Sequence, residues 1–348
     1  MRTQDRLLTY LKSERSDFIS GEELSRLLGV SRSAIWKEVS ALRKIGYKIK
    51  AMPHEGYRLV SIPDRLFADE IRWGLKTEWM GKQIFSYEEL DSTNDVAWRL
   101  GEEGLPEGTC VFAEHQKKGR GRLGRSWTSP RHRSILLSAL LRPDLPPDGV
   151  ARITLAAALS VVRAVRLVAG VSAGIKWPND VLYREKKICG ILTEMNAEMD
   201  RVRFVVLGIG INVNTTVKDL PPGSTSLREI TGKEISRVAL TQTLLVELEK
   251  DLKRLRNGEF ERLTEEWEEH SETTGKRVVA TLINRSVQGQ ATGIDADGAL
   301  WIRKDSGLQE RILSGDIKHC RMSSPRRRGS SLIPAKTCLP AGRDRGLK

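Results

Sequence analysis

Gly119-Arg120-Gly121-Arg122-Leu123-Gly124-Arg125-Ser126-Trp127 sets three arginines and three glycines in nine residues. Glycine lets a backbone take positive φ and approach a ligand closely, and arginine presents a planar fork of donors matched to phosphate and carboxylate oxygens. The stretch is suited to closing over an anion. Gly119, Gly121 and Gly124 satisfy G-x-G-x-x-G, but a dinucleotide fold needs a helix to begin at that loop, and Arg125-Ser126-Trp127-Thr128-Ser129-Pro130 does not begin one. No Gly-Lys-Ser/Thr follows, which excludes the phosphate loop of nucleotidases. A solvated basic surface loop is the plain alternative, and the flanking sequence has to decide.

Thr109 to Glu114 and Ser134 to Leu141 are apolar strands on either side, so the loop joins two strands of a sheet, a placement that suits a lid. Around them Leu66 to Leu75 predicts a helix, Ile84 to Tyr87 a strand, and Asn94 to Gly101 a helix capped by Ser92 or Thr93. Asp148 to Ala169 is a long helix with an Ala/Leu/Val face. Val181 to Tyr183 and Ile188 to Met195 form a hairpin about Arg184-Glu185-Lys186-Lys187; Val202 to Ile209 is a buried strand, and Ser236 to His270 returns to helix. Mixed strands with helices on one side predict an α+β domain over residues 63–272. From Lys276 to Arg321 the pattern is all strand: Val278 to Ile283, Gln288 to Ile294, Ala299 to Arg303 and Gln309 to Ile312, with Asp295-Ala296-Asp297-Gly298 as a hairpin turn. A small β-barrel over 273–321 accommodates it, and the aperiodic segment 322–348 predicts disorder.

Residues 1–62 read as a winged helix-turn-helix. Arg6 to Lys12 has helical spacing, Ser20 with Glu23 forms a capping box, Gly29-Val30-Ser31 makes the turn, and a second helix runs from near Arg32 to Lys44. Ile35, Val39 and Leu42 face inward there, leaving Arg32, Ser33, Trp36, Lys37 and Arg43 outward. Tyr47 to Lys50 and Gly56 to Val60 alternate about Met52-Pro53-His54-Glu55, the wing. A helix with Arg, Ser and Lys on its exposed N-terminal half suits the DNA major groove; a helical interaction module with a basic face is the plainer alternative. Ser61-Ile62-Pro63 is the linker.

The net charge of +13 over 348 residues is uneven, about +5 over residues 1–62 and about +6 over 322–348. Basic character belongs to the ends. Cys110, Cys189, Cys320 and Cys338 form no CxxC pair and the histidines do not cluster, so neither a disulfide framework nor a metal site is indicated. No apolar run is long enough for a membrane span and no signal-peptide core opens the chain, which predicts a cytoplasmic protein.

The arginine loop has companions in Asp91-Ser92-Thr93-Asn94, Gln116, Lys176-Trp177-Pro178-Asn179-Asp180 and Gly208-Ile209-Gly210-Ile211-Asn212. At these residues, and over about residues 5–321, the chain resembles the biotin–protein ligases, specifically the bifunctional ones that are also biotin operon repressors. The resemblance implies a catalytic domain of the biotin/lipoate ligase type and an SH3-like C-terminal barrel. It implies ATP-dependent formation of biotinyl-adenylate, with Mg²⁺ accompanying ATP, and transfer to a lysine of a biotin carboxyl carrier domain such as that of acetyl-CoA carboxylase. Operator DNA and an adenylate-dependent homodimer complete its implied partners. Residue by residue, Ser92, Thr93, Asn94 and Gln116 would bind biotin, Arg120-Gly121-Arg122 would order over biotin and adenylate, and Lys176 would contact carboxylate and phosphate. Trp127 would stack on adenine, Asn212 would lie near the nucleotide, and Arg32, Ser33, Trp36 and Lys37 would meet DNA. Asp180 is read, from its place beside Lys176 alone, as orienting or deprotonating the acceptor lysine. Activating a carboxylate with ATP brings two anions together and needs fixed positive charge as pyrophosphate leaves, which Arg120, Arg122, Arg125 and Lys176 can supply. A biotin sensor without ligase activity and a lipoate or octanoate ligase remain the alternatives.

Overall fold

Capped starts fix the helices of the N-terminal unit. In the computed structural model, which describes residues 3–14, 17–199, 201–282 and 284–320, α1 spans Thr3–Ser13, α2 Gly21–Leu28 and α3 Arg32–Lys44. The hydroxyls of Ser20 and Ser31 accept from the amides of Glu23 and Ala34 at 3.0 and 3.2 Å, each contributing about 1 kcal/mol. Gly29, at φ 69°, turns the chain between α2 and α3. Strands β1 (Lys48–Met52) and β2 (Gly56–Ser61) pair antiparallel as the wing. Gly56 is obligatory: its φ is 112° and a Cβ would lie 2.0 Å from the Ile19 carbonyl oxygen. Leu7, Leu11, Leu24, Ile35, Val39 and Leu42 form a core of this unit's own.

The central unit follows as α4 (Ala68–Arg72), β3 (Ile84–Tyr87), α5 (Thr93–Glu102), β4 (Cys110–Ala113), β5 (Ser134–Leu141), α6 (Val150–Ala169), β6 (Gly174–Lys176), β7 (Asp180–Tyr183), β8 (Lys186–Glu198), β9 (Arg201–Asn212), α7 (Leu227–Thr231), α8 (Arg237–Arg256) and α9 (Phe260–Glu269). Its sheet has the order β3-β4-β5-β9-β8-β7-β6, parallel at β3/β4 and antiparallel elsewhere. Helices cover both faces, not one: Ala97 and Leu100 of α5 pack on Val111, Leu140 and Val206, while α6 and α8 cover the opposite side chains. Two helices were read too long. The 66–75 helix shrinks to α4, and Asn257-Gly258 breaks the 236–270 helix because Gly258 takes φ 77°.

The C-terminal unit has β10 (Arg277–Thr281), β11 (Ser286–Ile294), β12 (Leu300–Arg303), β13 (Gln309–Ile312) and β14 (Asp316–His319), antiparallel in the order β13-β12-β11-β10-β14. Strand β14 was not among the strands expected from the sequence. Val278, Val287, Leu300 and Ile302 belong to one continuous core with the central helices. Ile283, the expected end of the first strand, and the segment 322–348 lie outside the described residues.

Candidate active site

The arginine loop folds as a miniature hairpin. Trp127 N donates to Gly119 O at 2.8 Å, Gly121 N to Arg125 O at 2.7 Å, and a tight turn over Arg122–Gly124 holds Leu123 and Gly124 at positive φ. Gly119 is fixed by space, since a Cβ there would sit 2.3 Å from the Trp127 carbonyl oxygen. Each arginine has its own partner. Arg120 pairs with Asp95 at 2.5 Å and Glu194 at 2.9 Å, Arg122 donates to Asn179 Oδ1 at 3.3 Å and to Gly315 O at 3.4 Å, and Arg125 pairs with Asp316. Carboxylates of the chain itself thus offset two of the three charges. Arg122 is left without one, and burial lowers its pKa from the ordinary value.

Under the loop lies a partly open cavity. Its rim is polar. Thr93 donates to Gln116 Oε1 from both its amide (2.7 Å) and its hydroxyl (2.9 Å), and Ser138 Oγ lies 2.7 Å from Thr93 Oγ1 and 2.5 Å from Asn94 Oδ1, its one proton shared between them. Ser92 stands at the N-cap of α5 with no cap bond from its hydroxyl, so it and Thr93 face the cavity and do not serve as caps. Leu136, Ile191 and Ile209 supply an apolar floor, and Arg120, Gly121, Arg122 and Trp127 the cover. Absent side chains shape the interior: a Cβ on Gly208 would meet Asn94 Oδ1 at 2.4 Å, and one on Gly210 the Trp127 ring at 2.6 Å. Buried Trp127 Nε1 has no hydrogen-bond partner among the described residues.

Lysine placement departs from expectation. Lys187 lines this cavity beside Asn179 and lies 5.6 Å from the Trp127 ring centroid, paired with Asp180 at 2.6 Å. Lys176 does not line it; it ends β6 opposite Asp180 and opens into an adjoining basic cleft with Lys276, Lys318 and His319. Burial, helped by Lys187, Arg125 and Lys318, lowers the Lys176 pKa against the pull of Asp180. Asn212 is buried at the end of β9, paired with Ser134 and away from the cavity lining. Sequence reasoning missed Lys187, Asn179 and Glu194. Asn179 donates to Ile191 O at 2.7 Å while accepting from Arg122, and the Trp-Pro-Asn-Asp run was the only signal for it. The chemistry available is that of an apolar slot with an amide-and-hydroxyl end, closing on two cations, which fits a small apolar molecule that bears a hydrogen-bonding head and a carboxylate.

Some distance away, Arg32, Ser33, Trp36 and Lys37 are all exposed along α3, and Trp36 is 60% exposed. Arg43 is exposed as well, and its guanidinium donates to Ile49 O at 3.0 and 2.6 Å. Among the described residues no group of three or more His, Cys, Asp and Glu could hold a metal ion, and no helix is long and apolar enough to cross a membrane.

Residues 87–212 match the biotin/lipoate A/B protein ligase family, residues 3–58 an HTH domain, and residues 273–319 the biotin protein ligase C-terminal domain. The bifunctional ligase/repressor BirA of Bacillus subtilis is 40% identical over 316 residues, 90% of this chain and 97% of the relative. That of Escherichia coli is 30% identical over 86% of this chain and 92% of its own. Among solved structures, the biotin protein ligase of Aquifex aeolicus in complex with biotin and ATP superposes with a TM-score of 0.60 at 31% identity, covering 69% of this chain and 99% of that one. The chain therefore belongs to the biotin–protein ligases, in the bifunctional branch that joins the ligase to a helix-turn-helix repressor module.

Proposed function

We propose that the cavity beneath the arginine loop is where biotin is activated, and that α3 and the wing carry the product's signal to operator DNA. The observation that carries this is the convergence on one cavity of Thr93, Asn94 and Gln116 at a polar end, an apolar floor, and Arg122 with Lys187 at the other end. The hydroxyl and amide groups suit the ureido ring and the floor suits the hydrocarbon chain. Arg122 and Lys187 then meet the carboxylate and the α-phosphate of ATP, and Trp127 covers the adenylate. In the first step a carboxylate oxygen attacks the α-phosphorus and pyrophosphate leaves. In the second a neutral lysine amine of a carrier domain attacks the acyl carbon and AMP leaves, the amine losing its proton. Asp180 sits between Lys187 and Lys176, so it serves first to orient Lys187; a role toward the acceptor amine is its second. With no clustered metal ligands among the described residues, Mg²⁺ fits as an ion held by phosphate oxygens and water. Lys176 takes the outer, leaving-phosphate side. Substrates of this kind and operator DNA place the protein in the cytoplasm, and a two-fold operator calls for a homodimer. The reading divides the chain at 1–62, 63–272 and 273–321.

Biotin-dependent exchange of labelled pyrophosphate into ATP tests it. Exchange that ignores lipoate is expected, falling on the order of 100- to 1000-fold in Lys187→Ala and less in Lys176→Ala. Biotin binding without exchange would leave a sensor, exchange with lipoate or octanoate would replace the substrate, and a larger loss in Lys176→Ala would return the central role to that lysine.

A further inference from the structure

Arg120 was expected to bind the substrate anion, yet its guanidinium is already spent. Nη1 lies 2.5 Å from Asp95 Oδ1 and Nη2 lies 3.0 and 2.9 Å from the two oxygens of Glu194. The two carboxylates come from different elements, Asp95 from the first turn of α5 and Glu194 from the middle of β8. Glu194 does more than hold Arg120, because its Oε2 also accepts from Asn94 Nδ2 at 2.6 Å. That bond leaves Asn94 Oδ1 to accept from Ser138, whose one hydroxyl proton is shared with Thr93 Oγ1, and the Thr93 hydroxyl in turn donates to Gln116. An unbroken chain of hydrogen bonds thus runs from the loop through Glu194 to every polar group of the rim except Ser92.

We propose that Asp95 and Glu194 are positioning residues of the ligase: they strap the arginine loop shut through Arg120, and Glu194 ties that closure to the orientation of the rim that reads the substrate head group. This rests on the reading of the cavity as the adenylation site. Arg122, which has no carboxylate partner, is the arginine left for the substrate anion, and Arg120 is the fastening that puts it there. The two straps differ in weight. Asp95 and Arg120 are 48% and 44% exposed and meet through single atoms, so solvent screens them. Glu194 is 31% exposed, receives Nη2 on both oxygens and accepts a second bond from Asn94, so it is the stronger.

The test uses the full chain. Labelled adenylate is formed in place, separated from free biotin and ATP, and its loss to solvent is timed; in parallel, trypsin cleavage after Arg122 reports loop opening without any catalytic step. Glu194→Gln is expected to speed both by about tenfold and Asp95→Asn by about threefold, with Asp95→Glu restoring retention. Arg120→Gln should match or exceed Glu194→Gln, and adding Asp95→Asn to it should change nothing further, since the partner is gone. Wild-type cleavage and adenylate loss in both carboxylate variants would overturn the proposal, as would an effect of Asp95→Asn that persists undiminished in the Arg120→Gln background. Faster cleavage in the variants of a chain that forms no adenylate would sustain the strap while removing the reading of the cavity beneath it.

Discussion

Lys12 and Trp177 each sit where an outer unit meets the central one, and they hold it by different physics. Lys12 of α1 reaches Glu70 of α4 at 2.8 Å with both side chains almost fully buried, the Tyr47 hydroxyl donates to the same carboxylate, and the Trp73 ring lies 5.0 Å from the ammonium. Burial and Glu70 together raise the Tyr47 pKa, so the phenol stays a donor. Trp177 instead is buried in apolar contacts and donates from Nε1 to Gly298 O at 3.0 Å, within a core that runs without a break into the C-terminal sheet. An apolar seam fuses two units; a buried charge network aligns them while leaving two cores. The C-terminal sheet is thereby part of the ligase, and the DNA-binding unit is a docked body held through Glu70.

The sharpest way to break this contrast is Glu70→Ala. Removing one partner leaves a buried uncompensated ammonium, for which about 3–5 kcal/mol is expected, seen as an N-terminal unfolding transition that separates from the main one in urea. A cost below about 1 kcal/mol would remove the distinction. Next in size, Ile302→Ala in β12 should lose about 2–5 kcal/mol and lower the main transition together with pyrophosphate exchange. Ile35→Ala in α3 should lose a similar amount from the N-terminal unit alone, with exchange retained; loss of exchange in both would mean a single cooperative body.

The smallest effect is on the linker. Arg237, fully buried, binds Asp64 at 3.0 Å and Glu114 at 2.6 Å, while Glu114 Oε1 accepts from the Leu66 amide at 2.8 Å. Burial alone would raise the Glu114 pKa, but the hydrogen bonds and charge of Arg237 with the Leu66 amide outweigh it and the net shift is downward. A carboxylate whose folded pKa is depressed adds stability above its unfolded value, about 4.3, and loses it as pH falls through the folded value. Amide exchange at Leu66 should therefore accelerate as pH falls below that range after correction for intrinsic rates, and Glu114→Gln should flatten the dependence.

How far the sequence could be read follows from where its signals were local. Caps, periodicity and the Gly29 turn were enough to find α2 and α3, because each depends on neighbours within one helical turn. The hairpin that carries Lys187 was misread for the opposite reason. Arg184 and Glu185 both take positive φ, at 47° and 65°, without the Gly, Asn or Asp that marks such a turn, so Lys186 and Lys187 join β8. A register shift then opposes Leu182 to Lys187 and Val181 to Cys189, and that shift decides which face Lys187 takes. No local pattern encodes it. Helices on both faces of the sheet were equally hidden, since α5 and α6 look alike until Val111 and Phe112 are seen to point apart.

The Asp64–Arg237 contact also bears on where the two activities could be parted in a gene. The wing ends at Ser61, but the central unit has already claimed Asp64, Arg65 and Leu66 as counter-charge and hydrogen-bond partners for Arg237 and Glu114. A coding boundary drawn after Leu66 would take the Asp64 contacts from the buried Arg237 guanidinium and leave it Glu114 and the Ser134 carbonyl, and one drawn between Ser61 and Asp64 would not. The ligase begins directly where its leash ends.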